Sequence, residues 1–378
     1  HALSLMREME MPLIPVLVDM ERNGVALNVP LLESMSVDLQ KRMDEIERDI
    51  QREVGYSFNL NSTQQLSKAL FETLKLEPPD RRKKTASGHY STSAGVLEEL
   101  RGEHPVVDLI LEYREISKLR STYLEALPRQ VNPATKRVHT SYNQTGSVTG
   151  RLASSNPNLQ NIPTRTEQGR QVRCAFVAAP GNYLLSVDYS QIELRIVAVM
   201  AEDEAMLAAF QQGQDIHAAT AAAIYNVPLA EVTREQRRHA KAINFGLIYG
   251  MSAFGLSRST GLTLGEAETF VKAYFRQFPG VKRYLDGIRK QAMDRGYVET
   301  MLGRRRYFPN LRTSMDANLR QREEREAINA PIQGTAADIL KLAMIHLPDA
   351  IHQAGLDAML LLQVHDELLF DIYLPEKE

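Results

Sequence analysis

Leu184-Leu185-Ser186-Val187-Asp188-Tyr189-Ser190-Gln191-Ile192-Glu193-Leu194-Arg195 sets a carboxylate where an apolar strand, residues 183–187, stops and a helix begins. Taken alone, Asp188 also reads as a helix N-cap, because Asp is a preferred cap. A second acid changes the reading. Two apolar runs, residues 359–364 and 368–372, flank His365-Asp366-Glu367 as strands flank a hairpin turn. An unpaired carboxylate at such a tip is costly to desolvate unless a cation or a donor meets it. Two carboxylates brought by separate strands to one place can hold a pair of Mg²⁺ ions about 3.5 to 4 Å apart, a geometry suited to activating a hydroxyl and neutralising a leaving pyrophosphate.

Outward from these acids the chain alternates between helical and irregular stretches. Residues 30–53 open with Pro30, are rich in Leu, Met, Glu, Lys and Arg, and end near Gly55, which predicts a long amphipathic helix. Residues 93–127 predict one or two more, closed by Pro128. Between them Pro78, Pro79, Arg81, Arg82, Lys83 and Lys84 mark a polar loop, so the three stretches together predict a projecting helical hairpin. Residues 131–182 are rich in Asn, Gln, Ser, Thr, Gly and Pro and read as strands and loops laid over a surface. From residue 203 to about 306 the pattern is helical again, broken at Pro228, Pro279 and Gly303. The expected class is α+β: helical lobes around a mixed or antiparallel sheet that carries the acids.

With 378 residues the chain has room for two or three hydrophobic cores. Its 43% apolar and 24% charged residues exclude a disordered chain, and no apolar run approaches the roughly 20 residues of a membrane span. An intracellular, soluble protein is expected. The single cysteine, Cys174, excludes an internal disulfide and is expected as a small core residue. A net charge of −2 would argue against a nucleic-acid partner, but the charges are segregated. Residues 126–166 hold no acid, yet include Arg129, Lys136, Arg137, Arg151 and Arg165. A second basic stretch runs through Arg304, Arg305, Arg306, Arg312, Arg320, Arg322 and Arg325, while acids gather in residues 33–53. One locally positive surface on a nearly neutral molecule would suit a protein that grips nucleic acid on one side.

Arg237-Arg238-His239-Ala240-Lys241-Ala242-Ile243-Asn244-Phe245-Gly246-Leu247-Ile248-Tyr249-Gly250 supplies a third signal. On a helix each step of four advances about 40° past a full turn, so Arg237, Lys241, Phe245 and Tyr249 form one winding stripe. Two cations followed by two rings can hold a triphosphate and pack on a sugar and base. A core stripe with snorkelling Lys and Arg is the plainer alternative. Thr149-Gly150-Arg151-Leu152-Ala153-Ser154-Ser155-Asn156-Pro157-Asn158-Leu159-Gln160-Asn161-Ile162-Pro163 packs Arg, Asn and Gln into an acid-free loop, whose side chains can donate to minor-groove acceptors. Asn329 and Gln333, in a second loop over residues 327–335, offer the same. Either loop also reads as an ordinary polar turn.

These motifs resemble those of family A DNA polymerases, the bacterial DNA polymerase I group, over nearly the whole chain and in the expected order. The Asp188 segment, residues 237–250 and Val364-His365-Asp366-Glu367 correspond to the family's three polymerase motifs. The resemblance implies a right-hand fold, with palm at 1–23, 129–205 and 315–378, thumb at 24–128 and fingers at 206–314. It implies Asp188 and Asp366 as ligands of two Mg²⁺ ions, for which Mn²⁺ substitutes, with the Tyr189 carbonyl completing the set and Glu367 beside it. Glu193 is implied as the steric gate against a ribose 2′-hydroxyl, with Gln191 and His217 beside the incoming nucleotide. Arg237 and Lys241 would bind its phosphates, Lys241 also protonating pyrophosphate. Phe245 would stack on it and Tyr249 would lie at the template position. Arg151, Arg325, Asn329, Gln333 and His365 would touch the primer–template. The implied partners are primer–template DNA and deoxynucleoside triphosphates, for a monomer without a membrane, in the bacterial cytoplasm at the nucleoid.

The chain begins at His1 and carries no upstream acidic exonuclease motifs, while the family pattern continues past Glu378 with a helix and a strand, so a fragment is expected. Two other readings stand beside this one. A single-subunit RNA polymerase shares the two-Asp palm, although an acid at Glu193 would clash with a ribose. A DNA-binding protein with a decayed centre would not need both Asp residues and Lys241.

Overall fold

The structure, a computed structural model, describes residues 2–80, 84–164 and 166–373, so Arg81, Arg82, Lys83 and Arg165 lie outside the described residues. The chain divides into two compact units: residues 1–23, 140–160 and 181–378 form one, and residues 24–139 with 161–180 the other.

In the second unit the long helix is Val29–Val54. Asn28 Oδ1 accepts from the Leu31 amide at 3.2 Å, Pro30 occupies the first turn, and Gly55 closes the helix at φ 88°. Leu32, Met35, Met43, Ile46, Ile50 and Val54 are buried along it, the spacing of one apolar face. That face meets Val106, Val107, Ile110 and Tyr113 of helix Pro105–Leu119. At their rim the Arg42 guanidinium forks onto Glu112 at 2.7 and 2.9 Å. The remainder of residues 93–127 forms shorter helical pieces: Ala94–Glu99, a π-helical turn Arg120–Leu124, and Ala126–Arg129. Pro128 does not close the run. It sits in the first turn of the last piece, where an amide would have no helical partner anyway. Strand Val25–Leu27 pairs antiparallel with Arg137–Val138 and with Phe176–Val177. Cys174 is exposed, contrary to expectation, because Gly169 and Val172 already take the buried face of helix Glu167–Cys174.

In the first unit a three-stranded sheet runs in the order Asn182–Asp188, Glu367–Tyr373, Ala358–Val364. Every described strand pair in the protein is antiparallel, which removes the mixed alternative. Leu360, Leu368, Phe370 and Ile372 pack against Leu13, Leu17 and Met20 of helix Met11–Asn23 and against Leu340 and Met344. A larger apolar core gathers Leu194, Val197, Ile243, Ile248, Tyr274, Val281 and Leu285 from several helices between Ile192 and Arg295.

Residues 327–335 are not a loop. They lie within helix Ala317–Gln353, which Asp316 caps by accepting from the amides of Asn318 and Leu319. Pro331 breaks one backbone bond there, and the Thr335 hydroxyl donates to the Pro331 carbonyl at 2.6 Å. Buried Ala327, Ala330, Gly334, Ala336 and Ala337 allow close packing, which tertiary contact rewards over the local turn signal. Asn329 and Gln333 thereby come one helical turn apart on one face.

Candidate active site

Strand register brings the two acids together. Asp188 faces Glu367 across the ladder, and the Tyr189 amide donates to the Asp366 carbonyl at 3.2 Å. Asp366 occupies the turn between Val364 and Glu367, which pair with each other, and His365 before it takes a left-handed φ of 55°. Gln363 Nε2 donates to the His365 carbonyl at 2.5 Å, and the Ser186 hydroxyl donates to Glu367 Oε1 at 2.6 Å. Burial pushes the Asp188 carboxyl above its ordinary pKa, and the charges of Asp366 and Glu367 push it further. Asp188 is not the cap of the following helix. Gln191, left-handed at φ 56°, stands at that position before Ile192–Met200.

In the first turn of that helix Glu193 is 5% exposed and is held at both oxygens. Arg151 Nη2 donates to Oε1 at 2.8 Å, and the Tyr249 hydroxyl donates to Oε2. Arg151 also stands 3.7 Å from Asp366. Burial, and then the Glu193 charge, raises the Tyr249 hydroxyl above its ordinary pKa. A continuous line of contacts thus runs from the acid pair through Arg151 and Glu193 to Tyr249.

Helix Arg234–Ile248 starts with a capping box, in which Thr233 Oγ1 accepts from the Gln236 amide and Gln236 Oε1 accepts from the Thr233 amide. Its stripe is the expected one, except that Tyr249 lies just beyond the last helical residue, at the C-cap. Phe245 has ring centroids 6.2 Å from Tyr249 and 5.7 Å from His217. Arg237 and Lys241 are exposed on the same helix. Arg237 Nε donates to Asp215 Oδ2 at 2.6 Å, whereas Lys241 pairs with no acid among the described residues. Burial lowers the His217 imidazole to about 4, with Arg237 and Lys241 adding to the shift against an opposing Asp215.

Sequence reading missed three residues that set this geometry. Asp215 caps helix Ile216–Tyr225 through the His217 and Ala218 amides while holding Arg237. Asn244, fully buried, donates from Nδ2 to His217 Nδ1 at 3.0 Å and accepts from Thr220 Oγ1 at 3.2 Å. An amide inside an otherwise apolar helical turn was the available signal, because such a group needs partners. On the opposite flank, a Cβ built on Gly250 would lie 3.2 Å from Arg325 Cγ, which seats Arg325 against the end of the Tyr249 segment. Among the described residues Arg151 Nε and Asn329 Oδ1 are buried without a hydrogen-bond partner, and Gln333 is half-buried one helical turn beyond Asn329. His365 is exposed.

An antiparallel sheet carrying adjacent acids, with a cationic helix and a held glutamate beside it, is the centre of a right-hand polymerase fold. The chain belongs to DNA polymerase family A, whose family model matches residues 29–378. It is 50% identical over 368 residues to the thermostable DNA polymerase I of Thermus filiformis, covering 97% of this chain and 44% of that protein. To DNA polymerase I of Pseudomonas aeruginosa it is 49% identical over 366 residues, with coverage of 97% and 40%. The POL domain of Pol1 from M. smegmatis, solved in complex with DNA primer-template and dNTP, is 43% identical with a TM-score of 0.90, covering 98% of this chain and 65% of that one. The chain spans less than half the length of the curated relatives named here. Among the described residues no helix is long and apolar enough to cross a membrane.

The described residues contain no preformed group of three His, Cys, Asp or Glu side chains for a metal. A hard cation such as Mg²⁺ does not need one, since it keeps waters and takes substrate phosphates alongside one or two carboxylates. The oxygen-only donors and the mutual repulsion at Asp188 fit that kind of ion.

Proposed function

We propose that this chain is the polymerase portion of a bacterial DNA polymerase I, extending a primer 3′-hydroxyl with deoxynucleoside triphosphates under direction of a template strand. The observation that carries the reading is the register that sets Asp366 beside Asp188 at the sheet end, in a chain of this family. Asp188, Asp366 and the Tyr189 carbonyl would hold two Mg²⁺ ions, or Mn²⁺ in their place. When bound, such ions activate the attacking hydroxyl and neutralise the leaving pyrophosphate.

The protein's own side chains do the rest. Arg237, released from Asp215, and Lys241 bind the triphosphate, and Lys241 passes a proton to the departing pyrophosphate. Phe245 stacks on the nucleotide with Gln191 and His217 beside it, and Tyr249 abuts the template. Glu193 closes the space a 2′-hydroxyl would need. Its burial and double anchoring favour this over the RNA polymerase reading, because a fixed carboxylate cannot swing aside. Arg151, Arg325, Asn329, Gln333, His365 and Glu367 line the primer terminus. The unpaired Arg151 Nε and Asn329 Oδ1 supply polar atoms for the duplex to satisfy.

The palm is assigned to residues 1–23, 129–205 and 315–378, the fingers to 206–314 and the thumb to 24–128. The last falls wholly within the compact unit of residues 24–139 and 161–180, which also takes in residues 129–139 and 161–180 of the assigned palm. We assign the chain as a monomer acting in the bacterial cytoplasm at the nucleoid. Primer extension with deoxy- and ribonucleotides, comparing the parent with Asp188→Asn and Asp366→Asn, tests the reading. Extension by the parent, its loss in both variants and retained primer–template binding are expected. Near-normal extension by either variant overturns the metal assignment, and a parent that binds DNA without extending it is a binding protein.

A further inference from the structure

Four charged side chains sit together, none of them assigned above to metal, nucleotide or DNA. Arg304, in the turn before strand Arg305–Tyr307, donates from Nε to Asp338 Oδ1 at 2.7 Å and from Nη2 to Glu10 Oε1 at 2.6 Å. Lys341 Nζ donates to both Glu10 oxygens, at 2.8 and 3.0 Å. Asp338 Oδ2 accepts from the Thr300 hydroxyl at 2.8 Å, and Gln144 Nε2 donates to Glu10 Oε2 at 2.7 Å. Asp338 is fully buried and Lys341 nearly so. Burial works against the charge on Glu10, yet Lys341 and Arg304 outweigh it and hold the carboxyl below its ordinary pKa. Two bases and two acids therefore neutralise each other inside the fold. Such quartets are expensive compared with apolar packing, so stability alone is a weak reason for one.

What Arg304 touches beyond the acids gives a better reason. A Cβ built on Gly150 would lie 2.6 Å from Arg304 Nε and 2.7 Å from Cδ, so Gly150 packs against the Arg304 side chain with no room for a side chain of its own. Gly150 has φ +82°, open to glycine and strained for other residues. From the other side, a Cβ on Gly334 would lie 3.2 Å from the Thr149 carbonyl and 2.5 Å from Thr300 Cγ2. Gly150 thus packs against the held Arg304 side chain, and Thr149 against a helix position that lacks a side chain. The next residue is Arg151, whose Nη2 holds Glu193 and approaches Asp366.

We propose that Arg304, locked by Glu10 and Asp338, is a positioning residue that seats the Thr149–Gly150 turn and so aims Arg151 at Glu193, making sugar selection depend on a side chain that touches no substrate. The inference rests on the polymerase reading above and adds a remote determinant to it. Lys cannot replace Arg here, because a point ammonium offers no fork to span both acids.

The experiment measures kcat/KM for a deoxynucleotide and its ribonucleotide in single-nucleotide extension by the parent, Arg304→Lys, Arg151→Ala and the double variant, with melting temperatures alongside. Arg304→Lys is expected to lower the deoxy-to-ribo ratio about tenfold, within the coupling range of contacting residues, and to change it little when combined with Arg151→Ala. Gly150→Ala, which presses a Cβ against Arg304 and strains the positive-φ turn while keeping every charge of the quartet, is expected to reproduce the fall and supplies the same test if Arg304→Lys does not fold. Lys341→Met, which loosens the quartet without touching Gly150, is expected to lower the melting temperature and leave the ratio in place. An unmoved ratio in Arg304→Lys or Gly150→Ala overturns the proposal. So does an equal fall in Lys341→Met, or an undiminished effect of Arg304→Lys when Arg151→Ala is already present. A parent that extends no primer instead refutes the polymerase reading.

Discussion

At the residue scale, the proposed gate Glu193 is a costly group made stable by its partners. A buried carboxylate survives when its oxygens are met, and here Arg151 and Tyr249 meet one each. Removing the carboxyl opens space where a ribose hydroxyl would sit and strands both donors. Glu193→Ala is therefore expected to raise ribonucleotide incorporation by about 10² or more relative to deoxynucleotide, with slower natural extension, in steady-state kcat/KM ratios. An unchanged ratio would show that the gate lies elsewhere. In the proposed reading Arg237 and Lys241 separate binding from chemistry on one helix. Arg237→Ala should chiefly raise KM for the nucleotide, since a phosphate clamp acts in ground and transition states alike. Lys241→Arg keeps the charge but replaces an ammonium with a group that hardly gives up a proton, so rapid-quench single turnovers should slow by about 10² to 10⁴ if Lys241 is the acid. A variant as fast as the parent would leave Lys241 a clamp only.

At the scale of elements, close approach decides where helices start. Helix Pro279–Arg295 begins against Asp203, whose Oδ2 accepts from the Gly280 amide at 2.8 Å and the Val281 amide at 3.3 Å. A Cβ on Gly280 would lie 2.8 Å from the Ala201 carbonyl oxygen, a backbone atom with little freedom to move. Gly280→Ala should therefore destabilise the protein by about 1 to 3 kcal/mol, the usual cost of overpacking, and lower the calorimetric melting temperature. Gly261→Ala, in a positive-φ cap but with nothing within 4 Å, loses backbone freedom alone and should cost less. Equal losses would mean that the Asp203 contact is not tight.

At the scale of the whole molecule, charge placement matters more than net charge. Of the seven arginines in the second basic stretch, four are paired: Arg304 with Glu10 and Asp338, Arg305 with Glu299, and Arg306 and Arg322 with Glu326. Fewer free cations remain there for DNA than the sequence count implies. Primer–template affinity should still be carried by phosphate contacts, falling by about 10³-fold or more between roughly 50 and 200 mM salt in fluorescence anisotropy titrations. A flat salt dependence would remove the electrostatic grip from the reading.

The acid pair, the cationic stripe and the long helix at residues 29–54 were legible in the sequence because each is a local pattern: apolar runs ending in Asp, cations spaced by four, caps at either end. Their roles came through likeness to a family, since no spacing states which oxygen holds a metal. The helical course of residues 327–335 was hidden by Pro331, a local helix breaker outweighed by buried Ala and Gly contacts. Cys174 was misplaced because burial depends on which face a neighbouring element covers. The partners Asp215–Arg237, Asn244–His217 and the Glu10–Arg304–Asp338–Lys341 quartet join residues 22 to 331 positions apart. By itself the sequence determined the periodic elements and the residue types its chemistry needs. Only the tertiary structure decided which charges meet, because an ion pair depends on distance in space and not along the chain.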